Sequence, residues 1–143
     1  MSAIFYSNAN AFCFEEAGAL YGVSPDLLRA VAMVESSMKP SAMNLGHSKR
    51  TQSHDIGLMQ INSRWLKSKQ FKSLGYVEAH LLDACTNVKV GAWIMAHSFR
   101  AHGMNWEAVG AYNAACTSLK GADCTSARNV YAWKVYRAMG KRG

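Results

Sequence analysis

The hydrophobic positions of this chain repeat at helical spacing in nearly every segment that has a period at all. Residues 27–38 show the pattern most clearly, and their apolar stripe consists of Leu27, Leu28, Val31, Val34 and Met38. Glu35 lies four residues after Val31 and therefore falls on the same stripe. The pattern predicts an amphipathic helix that carries one carboxylate on its apolar face.

Local signals predict where the first two helices begin and end. A first helix is expected to start at Asn8 or Asn10 as its cap and to run to Tyr21, with Gly22 as its stop. The segment 24–26 (Ser-Pro-Asp) combines a capping hydroxyl, a proline in the first turn and an acid at the positive end of the helix dipole. It predicts the start of the helix that carries Glu35, and Pro40 predicts its limit.

The rest of the chain is also mostly helical by pattern. Residues 41–54 are polar and without period, and 54–62 (HDIGLMQIN) predict a turn or short strand with a small hairpin before it. Further helices are predicted over about 63–71, over about 86–101 with Gly103 as the stop, over 106–115 with Asn105 as the cap, and from Ser126 onwards. No repeat, low-complexity tract or linker divides the sequence. We therefore expect one mostly α domain over residues 1–143.

Composition agrees with a globular protein of one domain. The chain has 143 residues, half of them hydrophobic, and two prolines. No stretch approaches the roughly 18 apolar residues that a membrane span needs. The N-terminus lacks a basic start and a long apolar run, so no signal peptide is visible. This is expected either of a cytoplasmic protein or of a mature form from which the signal has been removed.

The four cysteines favour the mature, exported form. Cys13, Cys85, Cys116 and Cys124 lack the C-x2-C spacing of a zinc or redox site. Of the three possible pairings we favour Cys13–Cys85 with Cys116–Cys124, because the second pair closes a short loop with Gly and Ser. Four free thiols are the alternative. Disulfides indicate an oxidising compartment such as a bacterial periplasm.

The net charge of +7 predicts either a solvated basic surface or an anionic partner. Nucleic acid, acidic lipid and anionic polysaccharide all fit the charge alone. The basic residues are scattered, and no helix clusters Arg and Lys for reading a groove. A nucleic-acid-binding module is therefore disfavoured.

Glu35 has two interpretations. At the edge of the stripe it would pair with Lys39 or Arg29. At the centre of the stripe, desolvation would raise the pKa of Glu35 and keep it protonated near neutral pH. A protonated carboxylic acid in an apolar cleft is what protonation of a glycosidic oxygen requires.

Three separated motifs favour the second interpretation, in which Glu35 is a functional carboxylic acid. The segments 35–40 (ESSMKP), 57–62 (GLMQIN) and 111–114 (AYNA), with their flanking helices, resemble the soluble lytic transglycosylase family over roughly residues 12–139. The type they resemble is the small, single-domain one associated with secretion, conjugation or pilus machines. Members of that type have paired cysteines near positions 13 and 85, which supports the favoured pairing.

The resemblance implies a lysozyme-like (α+β) fold, with a helical domain and a small hairpin lobe that flank a groove for peptidoglycan glycan strands. It implies that Glu35 first protonates the oxygen leaving C1 of N-acetylmuramic acid and then deprotonates the C6 hydroxyl, so that a 1,6-anhydro end forms. No metal or organic cofactor is implied. We expect a periplasmic monomer without a membrane span, acting on peptidoglycan for a secretion, conjugation or pilus apparatus.

The resemblance also implies roles for individual residues around the groove. Ser36 would position the carboxyl group of Glu35, with helix capping as the alternative. Met59 would form an apolar groove wall, and Gln60 would contact the sugar. Gly57 would permit a close approach or an unusual backbone angle.

The third motif and the last helix supply further aromatic and amide groups. Tyr112 would contact the sugar or the glutamate, and Asn113 would secure the local backbone. Tyr131 matches an aromatic residue that faces the groove in many members. Core packing is the equal alternative for Tyr131.

Asp55 departs from the family pattern, in which a small residue is common. It adds a second carboxylate on the lobe where lysozymes carry their second acid, and two carboxylates about 5 Å apart suit a retaining hydrolase. Asp55 would then stabilise the oxocarbenium ion or permit lysozyme-type hydrolysis as a muramidase. The alternative is a turn aspartate bonded to backbone amides.

Two further alternatives concern the loop and the class of protein. The basic segment 47–54 is either a solvated loop or a contact for anionic peptide stems or a partner protein. No spacing rule makes His47, His54 and Asp55 metal ligands, so no metal site is predicted. A non-catalytic peptidoglycan-binding scaffold on the same fold is the competing class.

Overall fold

The computed structural model describes residues 12–140. Its elements are, in chain order, α1 (Phe14–Tyr21), α2 (Pro25–Ser36), β1 (Met43–Asn44), α3 (Ser48–Thr51), β2 (Asp55–Ile56), β3 (Ile61–Asn62), a 3-10 helix (Ser63–Lys67), α4 (Lys69–Ser73), α5 (Glu78–Leu82), α6 (Ala84–His102), α7 (Trp106–Asn113) and α8 (Gly121–Met139). The fold is mostly α with a small antiparallel sheet, which confirms the predicted lysozyme-like class.

The start signal of α2 acts as the sequence predicts. The hydroxyl of Ser24 accepts a hydrogen bond from the Leu27 amide at 3.4 Å, and Pro25 opens the first turn. The helix ends at Ser36, within the limit predicted from Pro40, because Ser37 and Met38 both adopt left-handed backbone angles. Glu35 therefore sits in the last turn of α2, directly before the chain turns away.

Two helix boundaries differ from the predictions. The helix α1 begins at Phe14, with Gly22 as its left-handed stop, while Asn8 and Asn10 lie outside the described residues. The last helix begins at Gly121, five residues before the predicted Ser126. Its first turn contains Cys124, and the bond from Cys124 to Cys116 holds this turn against the preceding loop. A tertiary crosslink thus extends α8 where local propensity predicted a loop.

The predicted short helix over 63–71 is split in two. A 3-10 helix ends at Lys67, and Ser68 then adopts an extended conformation. The hydroxyl of Ser68 caps α4 by accepting a hydrogen bond from the Phe71 amide at 3.4 Å. The predictions for α6 with Gly103 as its stop and for α7 with Asn105 as its cap are confirmed within two residues.

The sheet has three antiparallel strands in the order β1-β2-β3. Met43 pairs with Ile56, and Ile56 in turn pairs with Ile61, so the predicted hairpin is a small lobe between α2 and α4. The fully buried side chain of Asn87 on α6 connects this lobe to the helices by hydrogen bonds. It donates to the carbonyls of Ile56 and Leu81 at 2.9 and 2.7 Å and accepts from the Met59 amide at 2.8 Å.

The core lies between the helices, with α2 at its centre. Fully buried side chains come from α2, the lobe, α6 and α8, among them Leu28, Val31, Leu58, Met95 and Val135. Between α7 and α8 the backbones approach so closely that a Cβ on Gly110 would lie 2.5 Å from the carbonyl oxygen of Arg128. Among residues 12–140, none of the helices is long and apolar enough to cross a membrane.

Both favoured disulfides are present. Cys13 is bonded to Cys85, which joins the start of α1 to the start of α6 across 72 residues of sequence. Cys116 is bonded to Cys124, which closes the loop between α7 and α8. The described residues contain no free cysteine.

Candidate active site

A groove of about 630 Å³ runs between the sheet lobe and the end of α7. Its residues come from α2, the sheet lobe, α6, α7 and the disulfide-bonded loop after α7. The lining includes Glu35, Asn44, His47, Asp55, Gln60, Asn62, Trp65, Ile94, Tyr112, Asn113 and residues 115–119. The chain thus brings Glu35, Asp55, Gln60, Tyr112 and Asn113 together, as expected from the sequence.

Glu35 is partly buried and its carboxylate is held from α8. The Tyr131 hydroxyl donates a hydrogen bond to Oε1 of Glu35 at 2.5 Å. Arg29, a proposed partner for the alternative interpretation, instead forms ion pairs with Glu15 and Asp26. The geometry therefore favours a carboxyl group directed towards the groove over an exposed surface ion pair.

Burial raises the pKa of Glu35 from its usual 4.5 to about 7. The hydrogen bond from Tyr131 opposes this shift, because it favours the carboxylate. The negative charge of Asp55 adds to the rise, and the positive charge of Lys134 lowers it. A carboxyl group with a pKa near neutral pH is able both to donate and to accept a proton under physiological conditions.

The two tyrosines near Glu35 have different hydrogen-bond partners. Tyr131 is almost fully buried, so its ring packs in the core, which was the alternative to a groove-facing position. Its hydroxyl still reaches Glu35. The Tyr112 hydroxyl donates to the Met59 carbonyl at 2.9 Å, and Tyr112 lines the groove. Burial raises the pKa of both hydroxyls well above the usual value, and the negative charge of Glu35 adds to this. Both tyrosines therefore act as neutral donors.

Asp55 faces the groove from strand β2 and is held by two side chains. Its Oδ2 accepts from Nε2 of His47 at 2.8 Å, and its Oδ1 accepts from the amide of Asn62 at 2.8 Å. Nδ1 of His47 lies 2.7 Å from the Thr51 hydroxyl, which orients the imidazole. The alternative of a turn aspartate bonded to backbone amides is wrong, because Asp55 lies in a strand and its partners are side chains.

The structure corrects the expected roles of Ser36 and Met59. Ser36 is buried, and its hydroxyl donates to the Leu58 carbonyl at 2.6 Å rather than to Glu35. It also accepts from the Lys39 amide at 3.2 Å, which is the capping alternative. Met59 is fully buried, because Gly91 on α6 leaves the space that its side chain fills. Met59 therefore belongs to the core, and only its backbone carbonyl serves the site.

Gly57 and Gln60 shape the turn between β2 and β3. Gly57 has a φ of 77°, and a Cβ there would lie 2.4 Å from the amide nitrogen of Asn87. Both expected reasons for a glycine, the backbone angle and the close approach, are therefore present. The side-chain nitrogen Nε2 of Gln60 donates to the carbonyls of Ala42 and Gly57 at 3.2 and 2.9 Å.

Asn113 ends α7 on the rim of the groove with an exposed side chain. Its expected role was to secure the local backbone. Within residues 12–140 its side chain forms none of the observed hydrogen bonds, so it is a groove-lining amide instead.

Several contacts in the groove were not expected from the sequence. His47 and Asn62, which hold Asp55, come from separate segments of the lobe, and no local pattern links them to it. Trp65 lines the groove and packs edge-to-face on Trp93 with ring centroids 5.5 Å apart. Residues 115–119 include Cys116 and precede Cys124. The short spacing between these two cysteines was the signal in the sequence for an ordered loop.

The described residues offer little for a metal ion. Among residues 12–140, Cys13, Glu16 and Cys85 form the one group of potential ligands that lies close together, and both cysteines are used in a disulfide. His54 is paired with Glu78 at 2.9 Å, so it does not join His47 and Asp55 as a ligand set.

The comparisons with known proteins agree with the mostly α, lysozyme-like fold. Residues 12–128 match the family described as the Transglycosylase SLT domain, and the chain belongs to this family of lysozyme-like, peptidoglycan-cleaving proteins. It is 42% identical to "Invasion protein IagB" of Salmonella typhi, over 93% of this chain and 80% of that protein. It is 35% identical to a "Peptidoglycan-binding-like protein" of Escherichia coli O157:H7, over 91% and 77%. It is 36% identical to "Protein IpgF" of Shigella flexneri, over 89% and 78%.

Proposed function

We propose that this chain is a lytic transglycosylase that cleaves the β-1,4 bond between N-acetylmuramic acid and N-acetylglucosamine. The observation that carries the proposal is the partly buried carboxyl group of Glu35, which lines the groove and accepts a hydrogen bond from Tyr131. Burial raises its pKa to about 7. Family membership supports the substrate class. We take residues 1–143 to act as one domain and as a monomer.

In the first step Glu35 acts as the general acid. Its proton passes to the glycosidic oxygen, the bond from that oxygen to C1 of the muramic acid breaks, and C1 becomes electrophilic. The protonated form of Glu35 is available near neutral pH, because burial raises its pKa to about 7. The acetamido group of the substrate is able to stabilise the cationic centre.

In the second step the Glu35 carboxylate acts as the base. It takes the proton of the C6 hydroxyl of the same muramic acid, and O6 forms a bond to C1. The product is a 1,6-anhydro end, no water is consumed, and Glu35 regains its proton. The Tyr131 hydroxyl, 2.5 Å from Oε1, stabilises the carboxylate between the two steps.

The groove residues are assigned to substrate binding under this proposal. Gln60, Tyr112 and Asn113 contact the glycan, and Tyr131 acts on Glu35 rather than on the sugar. Ser36, Gly57 and Met59 act indirectly, because they shape the turn between β2 and β3.

A muramidase that uses water is the second candidate. Asp55 lines the same groove as Glu35, and His47 and Asn62 hold both of its oxygens. A carboxylate held in this way suits stabilisation of an oxocarbenium ion or attack on C1, as in a retaining hydrolase. The product would then carry a reducing end.

The cellular setting follows from the substrate and the disulfides. Peptidoglycan and two disulfides both indicate the periplasm, and a small enzyme suits local opening of the wall for a secretion, conjugation or pilus machine. The similarity to a protein named for invasion supports such a role. Loss of assembly of the machine in a deletion strain, restored by the wild-type gene and not by Glu35→Gln, is the expected result.

The test is digestion of purified sacculi by the wild-type protein and by Glu35→Gln, followed by mass measurement of the released muropeptides. Products one water lighter than reducing-end standards, absent with the variant, are expected. Reducing-end products would replace the transglycosylase by the muramidase. Binding to sacculi without release of any product, by a folded protein, would instead favour a non-catalytic peptidoglycan-binding scaffold.

A further inference from the structure

Two arginines line the part of the groove next to the sheet. Arg50 lies on α3, and Arg64 lies in the 3-10 helix that follows β3. Both side chains are exposed, and neither forms an ion pair with a carboxylate of residues 12–140. Both guanidinium groups therefore lie at the groove without a carboxylate partner in the described part of the protein.

The acidic residues of the same region are engaged elsewhere. Asp55 is held by His47 and Asn62, and Glu78 is paired with His54. Glu35 accepts its hydrogen bond from Tyr131 on α8. The two arginines are thus left for an anion from outside the chain.

Neither arginine is used for packing. The helix α3 buries none of its residues, so Arg50 does not support the core. Nη2 of Arg64 donates to the Thr51 carbonyl at 2.5 Å, which holds this guanidinium beside α3. A guanidinium has five N–H donors, so one such bond leaves donors for a ligand.

The substrate of the proposed function carries anions at a regular spacing. Each muramic acid bears a lactyl group, and a peptide stem with free carboxylates extends from it. Arginine binds carboxylates through two parallel hydrogen bonds, which gives direction as well as attraction. We propose that Arg50 and Arg64 form a subsite for the carboxylates of the peptide stem, so that peptide-bearing strands are preferred to peptide-free ones.

This inference rests on the proposed peptidoglycan-cleaving function, and a second source of carboxylate has to be separated from the stem. An amidase that removes the stem leaves a carboxylate on the lactyl group itself, close to the sugar ring. The same glycan strands with and without stems therefore distinguish the two sources.

The experiment measures kcat and KM on uncrosslinked strands before and after amidase treatment, for the wild-type protein and for Arg50→Gln, Arg64→Lys and the double variant R50Q/R64Q. We expect the wild-type protein to prefer peptide-bearing strands. Each lost arginine should reduce this preference about two- to fivefold, mainly through KM, because exposed charge pairs contribute modestly and act on binding. Added salt should weaken the wild-type preference by screening.

Arg64→Lys keeps the positive charge but loses the planar guanidinium that forms two parallel hydrogen bonds with a carboxylate. Its preference for peptide-bearing strands should therefore lie between those of the wild-type protein and the double variant. The matched control is the double variant K69Q/K72Q, which removes two positive charges from exposed positions of α4 that do not line the groove. This control should keep the full preference.

Equal cleavage of both substrates by the wild-type protein would overturn the subsite while leaving peptidoglycan cleavage intact. The subsite is also overturned if R50Q/R64Q keeps the preference, or if K69Q/K72Q loses it equally. A larger loss on peptide-free strands would assign the arginines to the lactyl carboxylate and overturn the stem subsite. If the wild-type protein cleaves neither substrate, the proposed function itself fails.

Discussion

The hydroxyl of Tyr131 lies 2.5 Å from Oε1 of Glu35, although the two residues are 96 positions apart in the sequence. Tyr131 is on α8 and Glu35 is in the last turn of α2, so the packing of these two helices sets the distance. The phenol is neutral, because burial raises the pKa of Tyr131 well above its usual value. It is therefore a donor at every physiological pH, and it favours the carboxylate form of Glu35.

Tyr131→Phe removes this donor while keeping the ring in the core. The pKa of Glu35 should rise above 7, because the hydrogen bond lowers it. If protonated Glu35 is the general acid, the fall of kcat/KM at alkaline pH should move to higher pH, and kcat near neutral pH should drop about tenfold. A pH–rate profile measures both effects. Tyr136→Phe, on the exposed side of the same helix, is the matched control, and an unshifted profile for Tyr131→Phe would contradict the role of the bond.

Glu35 should make stability depend on pH. Its pKa is about 7 in the folded protein and 4.5 without the fold, so the folded state binds the proton more tightly. The contribution of Glu35 to the free energy of unfolding is fully present below about pH 4.5 and is lost as pH rises through 7. Its total is about 3 kcal/mol. Urea unfolding of the wild-type protein and Glu35→Gln at about pH 5 and about pH 8 tests this. The variant should gain relative stability at the higher pH, and a constant difference between the two proteins would contradict the burial effect.

His47→Ala should impair the site through Asp55. The variant removes the donor 2.8 Å from Oδ2, so Asp55 keeps only Asn62 as a partner. If Asp55 stabilises the cationic centre, kcat should fall about tenfold with little change in KM, and the ratio of reducing-end to anhydro products should change. His47→Gln restores a donor and should recover part of kcat. His54→Ala, which loses a hydrogen bond with Glu78 outside the groove, is the control, and equal losses in both alanine variants would point to a structural role alone.

The two disulfides should differ in their effects. The Cys13–Cys85 bond closes 72 residues and the Cys116–Cys124 bond closes 8. In the loop-entropy description their removal costs about 4 and about 2.5 kcal/mol. Paired Cys→Ala variants, unfolded in urea, measure the two losses. Only C116A/C124A should also raise KM, because residues 115–119 line the groove, and an unchanged KM would separate this loop from substrate binding.

The helices that local chemistry specifies were predicted well. Ser24 and Pro25 start α2, Gly22 ends α1, and Asn105 caps α7, because these residues act on the backbone within one turn. The start of α8 was missed by five residues, since the disulfide to Cys116 supports a turn of low propensity there. The helix α2 ends at Ser36, within the limit predicted from Pro40, because a proline limits a helix but does not require it to continue to that point.

The sequence predicted which residues line the groove better than it predicted the contacts that each of them makes. Glu35, Asp55, Gln60, Tyr112 and Asn113 meet in one groove. The contacts of Ser36 and Met59 were wrong, because each depends on a distant element: the Leu58 carbonyl for Ser36 and the space beside Gly91 for Met59.

The sequence by itself determined that a carboxylate lies on the apolar stripe of α2, because helical periodicity places residues 28, 31 and 35 on one face. It also indicated the family and favoured the cysteine pairing that the structure shows, and it determined most helix ends, which depend on neighbours in the chain. Only the tertiary structure decided which groups hold the two carboxylates: Tyr131 for Glu35, and His47 with Asn62 for Asp55. A hydrogen bond needs two atoms within about 3 Å. Across separate elements, that distance depends on how the helices and the sheet lobe pack against one another, which no local pattern in the sequence specifies.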